Sequence, residues 1–284
     1  MAKTDKYINP LTDFGFKKLF GTEPNKEILI DFLNQLLPSN KKIKNLTYTK
    51  NEHVGSNKLD RKAIFDLYCE NEKGEKFIVE MQKAKQNYFK DRSVYYSTFP
   101  IQEQAKRGEW NYQLTDIFTI GILDFVFNDS SSKNYISTVK LKDQDNQVFY
   151  DKLSFIYIEL PKFKKKESQL TSKFDKWIYV LRRLSYLENR PASLKEKVFE
   201  KLFESAEIAK FSKDEKQAYE ESLKYYRDIK NVVDTSKQEG REEGREERNI
   251  EIIKKGLKEG LSIEILVKLT GLNIEDIKEI QKQK

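Results

Sequence analysis

An α/β fold with a mixed sheet and a helical C-terminal region is predicted by three features of the sequence. The periodic segments of the first half run helix, strand, hairpin, helix, strand, an order that belongs to α/β proteins. Two segments, Leu114–Phe127 and Leu153–Leu160, are strongly apolar and β-branched, as strands buried on both faces are. After Pro161 and the basic run Lys162–Lys166 the texture becomes helical and charged.

Each element has a local cause. A polar start leads into Asp13–Phe20, where Phe16, Leu19 and Phe20 have helical spacing. From Asn25 to Leu37, Ile28, Leu29, Phe32, Leu33, Leu36 and Leu37 recur at steps of three and four, an amphipathic helix that Pro38 stops. Lys41–Val54 reads as a strand through Ile43, Leu46 and Tyr48. In Lys62–Glu70 the apolar positions are Ala63, Phe65, Leu67 and Cys69, and Asn71–Gly74 supplies a turn. Phe77, Val79 and Met81 follow, with Lys76, Glu80 and Gln82 on the other face beside Ile78. Strand side chains alternate, so this is a hairpin with one apolar and one largely polar face.

Ala84–Gly108 is a long helical stretch carrying Arg92, Tyr95, Tyr96 and Gln104, with Pro100 placed to kink or split it. Tyr135–Val139 and Gln147–Tyr150 make a smaller β excursion between the two buried strands. Gln169–Asn189, Leu194–Ile208 and Asp214–Val233 are helical. The repeat EGREEGREER within Gln238–Arg248 is too polar to bury a face and reads as a solvated helical connector or a flexible linker. Two short helices close the chain, capped at Ser262 and Asn273 with a turn at Gly271.

Composition narrows the function. The chain has 284 residues, 35% of them charged, with 53 Lys+Arg against 46 Asp+Glu for a net charge of +7. That is a mixed, solvated surface with a slight preference for polyanions. Hydrophobic residues make up 38%, including 18 Phe and 15 Tyr, enough for a sizeable core. The single Cys69 excludes a disulfide framework and a Cys-based zinc site and fits a reducing compartment. His53 alone cannot build a multi-His metal site and reads as a polar loop residue. Apolar runs such as Ile120–Phe127 are soon broken by charge, and the first residues lack a signal-peptide core. A soluble cytoplasmic protein is expected, with no membrane partner.

The hairpin carries the chemistry. A turn centred near Lys73 sets Asp66 opposite Glu80. Facing like charges are destabilising, so this pair needs a cation, a shared proton, or a Lys or Arg in reach. One or two carboxylates, completed by water and phosphate, suit Mg²⁺. Gln82 lies on the same face, where its amide can orient a water or a phosphate. The alternative is an exposed cross-strand ladder neutralised by Lys62 and Lys76.

Asp66…Glu80-Met81-Gln82 resembles the D…E-x-Q variant of the PD-(D/E)xK nuclease signature. With Thr12-Asp13-Phe14-Gly15-Phe16-Lys17-Lys18-Leu19-Phe20, Ile78–Gln82 and Arg92…Tyr95-Tyr96, the chain resembles the Rpn family of recombination-promoting nucleases and transposase-like proteins over roughly residues 5–235. The resemblance implies a restriction-endonuclease-like αβββαβ core and a Mg²⁺-dependent (or Mn²⁺-dependent) DNA endonuclease linked to recombination or transposon-like activity. It makes Asp66 and Glu80 metal ligands and puts Gln82 in the place of the signature lysine. Glutamine carries no charge and orients only by hydrogen bonds. Either the metal supplies the nucleophilic water unaided, or a cation such as Lys62 or Lys85 moves in. A protein that keeps the fold and binds DNA without cutting it is the alternative function.

Other polar residues have simpler readings. Asp13 and Lys17 suit a local ion pair, and Glu27 a solvent-facing helix position. Arg92 and Tyr96, four apart on one helix face, are candidates to line the phosphate path of DNA. Gln104 resembles a helix glutamine of some members of the superfamily. The expected organisation is a nuclease-like core over 5–165, a helical extension over 166–235, a charged connector over 236–253 and a two-helix tail over 254–284. In the tail, Glu275 and Asp276 would meet phosphates with the wrong sign for a groove-reading helix. Its apolar surface, from Ile263 to Ile280, is large for a unit of this size. It is expected to pack on another part of the chain or on another copy, giving a homo-oligomer.

Overall fold

A computed structural model describes residues 5–50, 52–53, 63–105, 111–127 and 132–282, with the backbone alone at Glu52, His53 and Ala63. Lys62, the side chain of His53 and the expected segment ends at Val54 and Gly108 lie outside the described residues.

The first helix is set by its cap. Thr12 Oγ1 accepts the Gly15 N–H at 3.0 Å and opens α1 (Asp13–Phe20), which buries Phe16, Leu19 and Phe20. α2 (Lys26–Leu36) buries Ile28, Leu29, Phe32 and Leu33, the stripe its spacing predicts. The expected strand over 41–54 is shorter and divided: β1 (Leu46–Tyr48) joins the main sheet, whereas β2 (Glu52–His53) pairs with β3 (Ala63–Ile64) in a separate ladder. The hairpin follows as β4 (Leu67–Asn71) and β5 (Lys76–Gln82). Leu67 pairs with Val79 and Tyr68 with Ile78, the register expected from the turn.

Two details of the hairpin differ from expectation. Phe65 and Asp66 fall outside both strands, so alternation breaks there. Phe65 joins Tyr68 and Ile78 on one face, instead of Leu67 and Cys69 on the other. That face is also not solvated. It is covered by Tyr96 and Phe99 of α3 (Phe89–Glu103), and Ile78 is fully enclosed.

The helix expected from Ala84 begins at Phe89, because Tyr88 takes a left-handed φ of 59° that a helix interior does not tolerate. It runs unbroken through Pro100 to Glu103. β6 (Ile117–Leu123) is buried along its whole length. β7 (Ile136–Lys142) and β8 (Val148–Glu159) complete the sheet, the segment Gln147–Tyr150 being largely the start of β8.

Among the described residues the main sheet has six strands in the order β1-β4-β5-β6-β8-β7. The inner pairs β5·β6 and β6·β8 are parallel, and the remaining pairs antiparallel. One face packs on α1, α2, α4 (Lys173–Arg183) and α5 (Lys197–Ala206), around Phe20, Phe32, Trp177 and Phe199. The other face carries α3. The segment before α1 and the first turn of α1 are stitched to the far end of this unit. Ile8 N–H donates to Ala206 O at 3.0 Å, Asn9 N–H to Tyr219 Oη at 2.9 Å, and Phe14 N–H to Ser222 Oγ at 3.1 Å.

α6 (Lys213–Lys258) is a single helix through the EGREEGREER repeat. Packing divides the chain into two units at Arg227/Asp228. In the second unit, α7 (Ile263–Thr270) ends at Gly271 with φ 75°, and α8 (Ile274–Lys282) starts where Asn273 Oδ1 accepts the Asp276 N–H at 2.8 Å. Leu266 and Ile277 close on Ile253 of α6, so the apolar surface of the tail finds a partner within its own unit. No helix among the described residues is long and apolar enough to cross a membrane.

Candidate active site

Asp66 and Glu80 are held together by reciprocal backbone bonds. Glu80 Oε1 accepts the Asp66 N–H at 3.2 Å, and Asp66 Oδ2 accepts the Met81 N–H at 2.7 Å. Gln82 Nε2 donates to Glu80 Oε2 at 3.1 Å. The three candidate residues therefore meet, at the C-terminal end of β5. This is where parallel strands expose their binding crevice. Glu80 is only 6% exposed, the rarest situation for a carboxylate. Burial, and next the Asp66 charge, push its carboxyl well above the ordinary range. Burial also raises Asp66, against the Met81 N–H that favours its charged form.

Gly121 of β6 lies opposite Glu80 in one parallel ladder and opposite Tyr157 of β8 in the other. A Cβ there would come within 2.9 Å of Tyr157 Cδ1.

Arg92 reaches the site from α3, and its charge acts on Glu80. Its guanidinium lies over the rings of Phe89 (5.3 Å) and Tyr96 (5.6 Å), and one nitrogen, Nη2, is buried with no hydrogen-bond partner among the described residues. Tyr96 is half-buried, edge-on to Phe65 at 5.2 Å. Arg92 and Tyr96 thus adjoin the carboxylates. Gln104 does not. It accepts the Thr115 N–H at 2.6 Å and ties the far end of α3 to the segment that leads into β6.

Lys76, which the ladder reading set beside the acids, pairs with Glu70, and Lys85, a cation expected to move in, is exposed on the loop before α3. The charge that reaches Asp66 from this side is that of Lys83, with Lys17 of α1. Lys83 is half-buried and stacked over Tyr225 at 5.0 Å, and burial lowers its pKa. Strand alternation sends Lys83 to the face opposite Gln82, the face of Met81 that α1 covers, and there Asp13, Asp66 and Lys17 act on its charge. Asp13 and Lys17 form the expected ion pair at 3.2 Å, and Glu27 pairs with Lys201 at the surface. Asp13, Lys17, Lys18 and Asp66 border a cavity of about 520 Å³ beside the pair.

No group of three or more His, Cys, Asp or Glu side chains forms a metal cluster among the described residues. Two carboxylates still fit a small hard cation, which keeps several waters and takes phosphate oxygens. Asp66 Oδ1 takes no hydrogen bond within the described residues, and the burial of two like charges disfavours the pair without a counter-charge. A family model of PD-(D/E)XK nuclease family transposases matches residues 10–236. The chain belongs to this family. In this PD-(D/E)XK nuclease family transposase the elements α1, β1, β4, β5, α3 and β6 give the αβββαβ order that the resemblance implied. Comparison with curated proteins and with solved structures gave no match.

Proposed function

We propose that this member of the family hydrolyses phosphodiester bonds of DNA with a divalent cation, Mg²⁺ or Mn²⁺, held by Asp66 and Glu80. The observation that carries the reading is the buried, reciprocally bonded Asp66–Glu80 pair at the end of β5. When bound, the cation would supply charge for the scissile phosphate and a water of lowered pKa. Gln82 fixes the rotamer of Glu80 by its amide hydrogen bond and does not act as a base. Arg92 offers its buried Nη2 to a phosphate oxygen. Lys83 supplies the positive charge that Gln82 cannot, from one residue further along the chain. Contacts of this kind read the DNA backbone, so low sequence specificity follows, in keeping with a role in recombination or transposon-like activity.

The test is plasmid cleavage in Mg²⁺ or Mn²⁺ by the wild type, Asp66→Ala and Glu80→Ala. Loss of about 100-fold or more in each variant is expected, beyond the effect of removing a supporting partner of a metal ligand. Undiminished cleavage in both would overturn the assignment. The uncharged Gln82 favours a second reading, a DNA-binding protein that has lost the chemistry. That reading predicts salt-sensitive binding that needs no metal and is unchanged in Asp66→Ala.

A further inference from the structure

Two loops leave the C-terminal ends of the parallel strands β5 and β6: Lys83–Tyr88, which leads into α3, and Asp124–Phe127. Between them lies a cavity of about 330 Å³, at the small end of the range for small-molecule sites. Its walls are aromatic. Phe89, Phe125 and Phe127 stand edge-on or tilted to one another at 5.8–6.2 Å between centroids. Tyr88 borders the same space and is 80% exposed, on a backbone held at φ 59°. A large aromatic side chain in that conformation is uncommon, and its ring contributes little to the core.

The polar groups around these rings are cationic or amide. Lys85, Gln86 and Lys90 line the cavity, with Asp91 as the one acid, and Lys90 Nζ lies 5.0 Å over the Phe127 ring. Stacking faces beside lysines suit a flat aromatic ligand that carries a phosphate. Arg92 links the cavity to the carboxylate site. Arg92 donates from Nη1 to Gln86 Oε1 and stacks on Phe89, both of which line the cavity, while its charge acts on Glu80.

Resting on the nuclease reading above, we infer that this cavity receives an unpaired nucleobase of the DNA substrate. The base stacks on Tyr88 and Phe127, and Lys85 and Lys90 take the adjoining phosphate. The substrate class is then DNA with a single-stranded or extruded nucleotide near the scissile bond. Extruding a base is least costly where it is already unpaired.

Fluorescence anisotropy at fixed ionic strength, in chelator, would compare a fully paired duplex with the same duplex carrying one unpaired nucleotide. A fluorescent adenine analogue at the unpaired position reports stacking directly. The full-length protein is expected to prefer the unpaired substrate about tenfold, with quenching of the analogue. Tyr88→Ala should remove most of that preference and the quenching, and Tyr88→Trp should retain both. Tyr88 is exposed and buries little on folding, so these variants keep the fold, which circular dichroism checks. Equal affinity for the two substrates, or a preference that survives Tyr88→Ala, would overturn the inference. If Asp66-dependent plasmid cleavage persists in that case, only the base site falls. If wild type neither cleaves nor binds DNA, the nuclease reading and the base site fall together.

Discussion

Two aspartates of the first unit sit in contrasting surroundings. Burial raises the pKa of Asp66. At Asp175 burial acts in the same direction, but the Lys165 ammonium, the Tyr135 hydroxyl and the backbone N–H groups of Thr171 and Ser172 outweigh it. They hold the Asp175 carboxyl well below its ordinary value. The distances are 2.7 Å to Lys165 Nζ and 2.8 Å to Tyr135 Oη, with the carboxylate only 2% exposed. An acid with a lowered native pKa binds fewer protons folded than unfolded. Its contribution is complete above the unfolded value, near 3.9, and is lost as pH falls through the native one. Asp175→Asn should therefore cost about 1–3 kcal/mol at neutral pH, and the gap to wild type should narrow as acid protonates the wild-type carboxylate. Urea unfolding at neutral and acid pH checks both statements. A gap independent of pH would mean that Asp175 acts by packing and neutral hydrogen bonds alone.

At the scale of elements, the parallel pair β6·β8 depends on a residue without a side chain. Gly121 lets β6 lie against Tyr157, itself packed edge-on to Phe89 at 6.0 Å. Gly121→Ala is expected to destabilise the first unit by about 1–3 kcal/mol through overpacking, read as a lower thermal midpoint. Elements of this kind were legible in the sequence wherever period and burial agree. The stripe of α2, the buried run of β6 and the register of the hairpin all followed from spacing, and with the register came the pairing of Asp66 with Glu80. The break at Phe65–Asp66 was not legible, because an apolar residue looks equally at home on either of two buried faces. The length of α6 was hidden for another reason. Its repeat has no apolar face to reveal a period, yet Glu and Arg are good helix formers, and Gln238 and Glu242 bond four residues apart at 3.0 Å. Lys83 was missed because alternation sets it on the face away from Glu80 and Gln82, and only the fold brings Asp66 near it. The buried nitrogen of Arg92 was missed because it depends on a rotamer.

At the scale of the molecule, the two units have separate cores, one around Trp177 and one around Leu266. Calorimetry of the full chain should resolve two transitions. Leu266→Ala should weaken the smaller unit by about 2–5 kcal/mol, the cost of a core cavity, and leave the larger transition in place. A shift of both would show that they unfold as one. Within the larger unit, the bonds from Ile8, Asn9 and Phe14 to Ala206, Tyr219 and Ser222 have a consequence for biosynthesis. The earliest-made elements of this unit are completed by some of its last-made residues. At roughly 5–20 residues per second, a nascent chain waits on the order of 10–40 s between emergence of the first helix and arrival of the residues that anchor it. Through that interval the apolar faces of α1 and α2 lack α4 and α5, which is when a holding chaperone would find the most to bind.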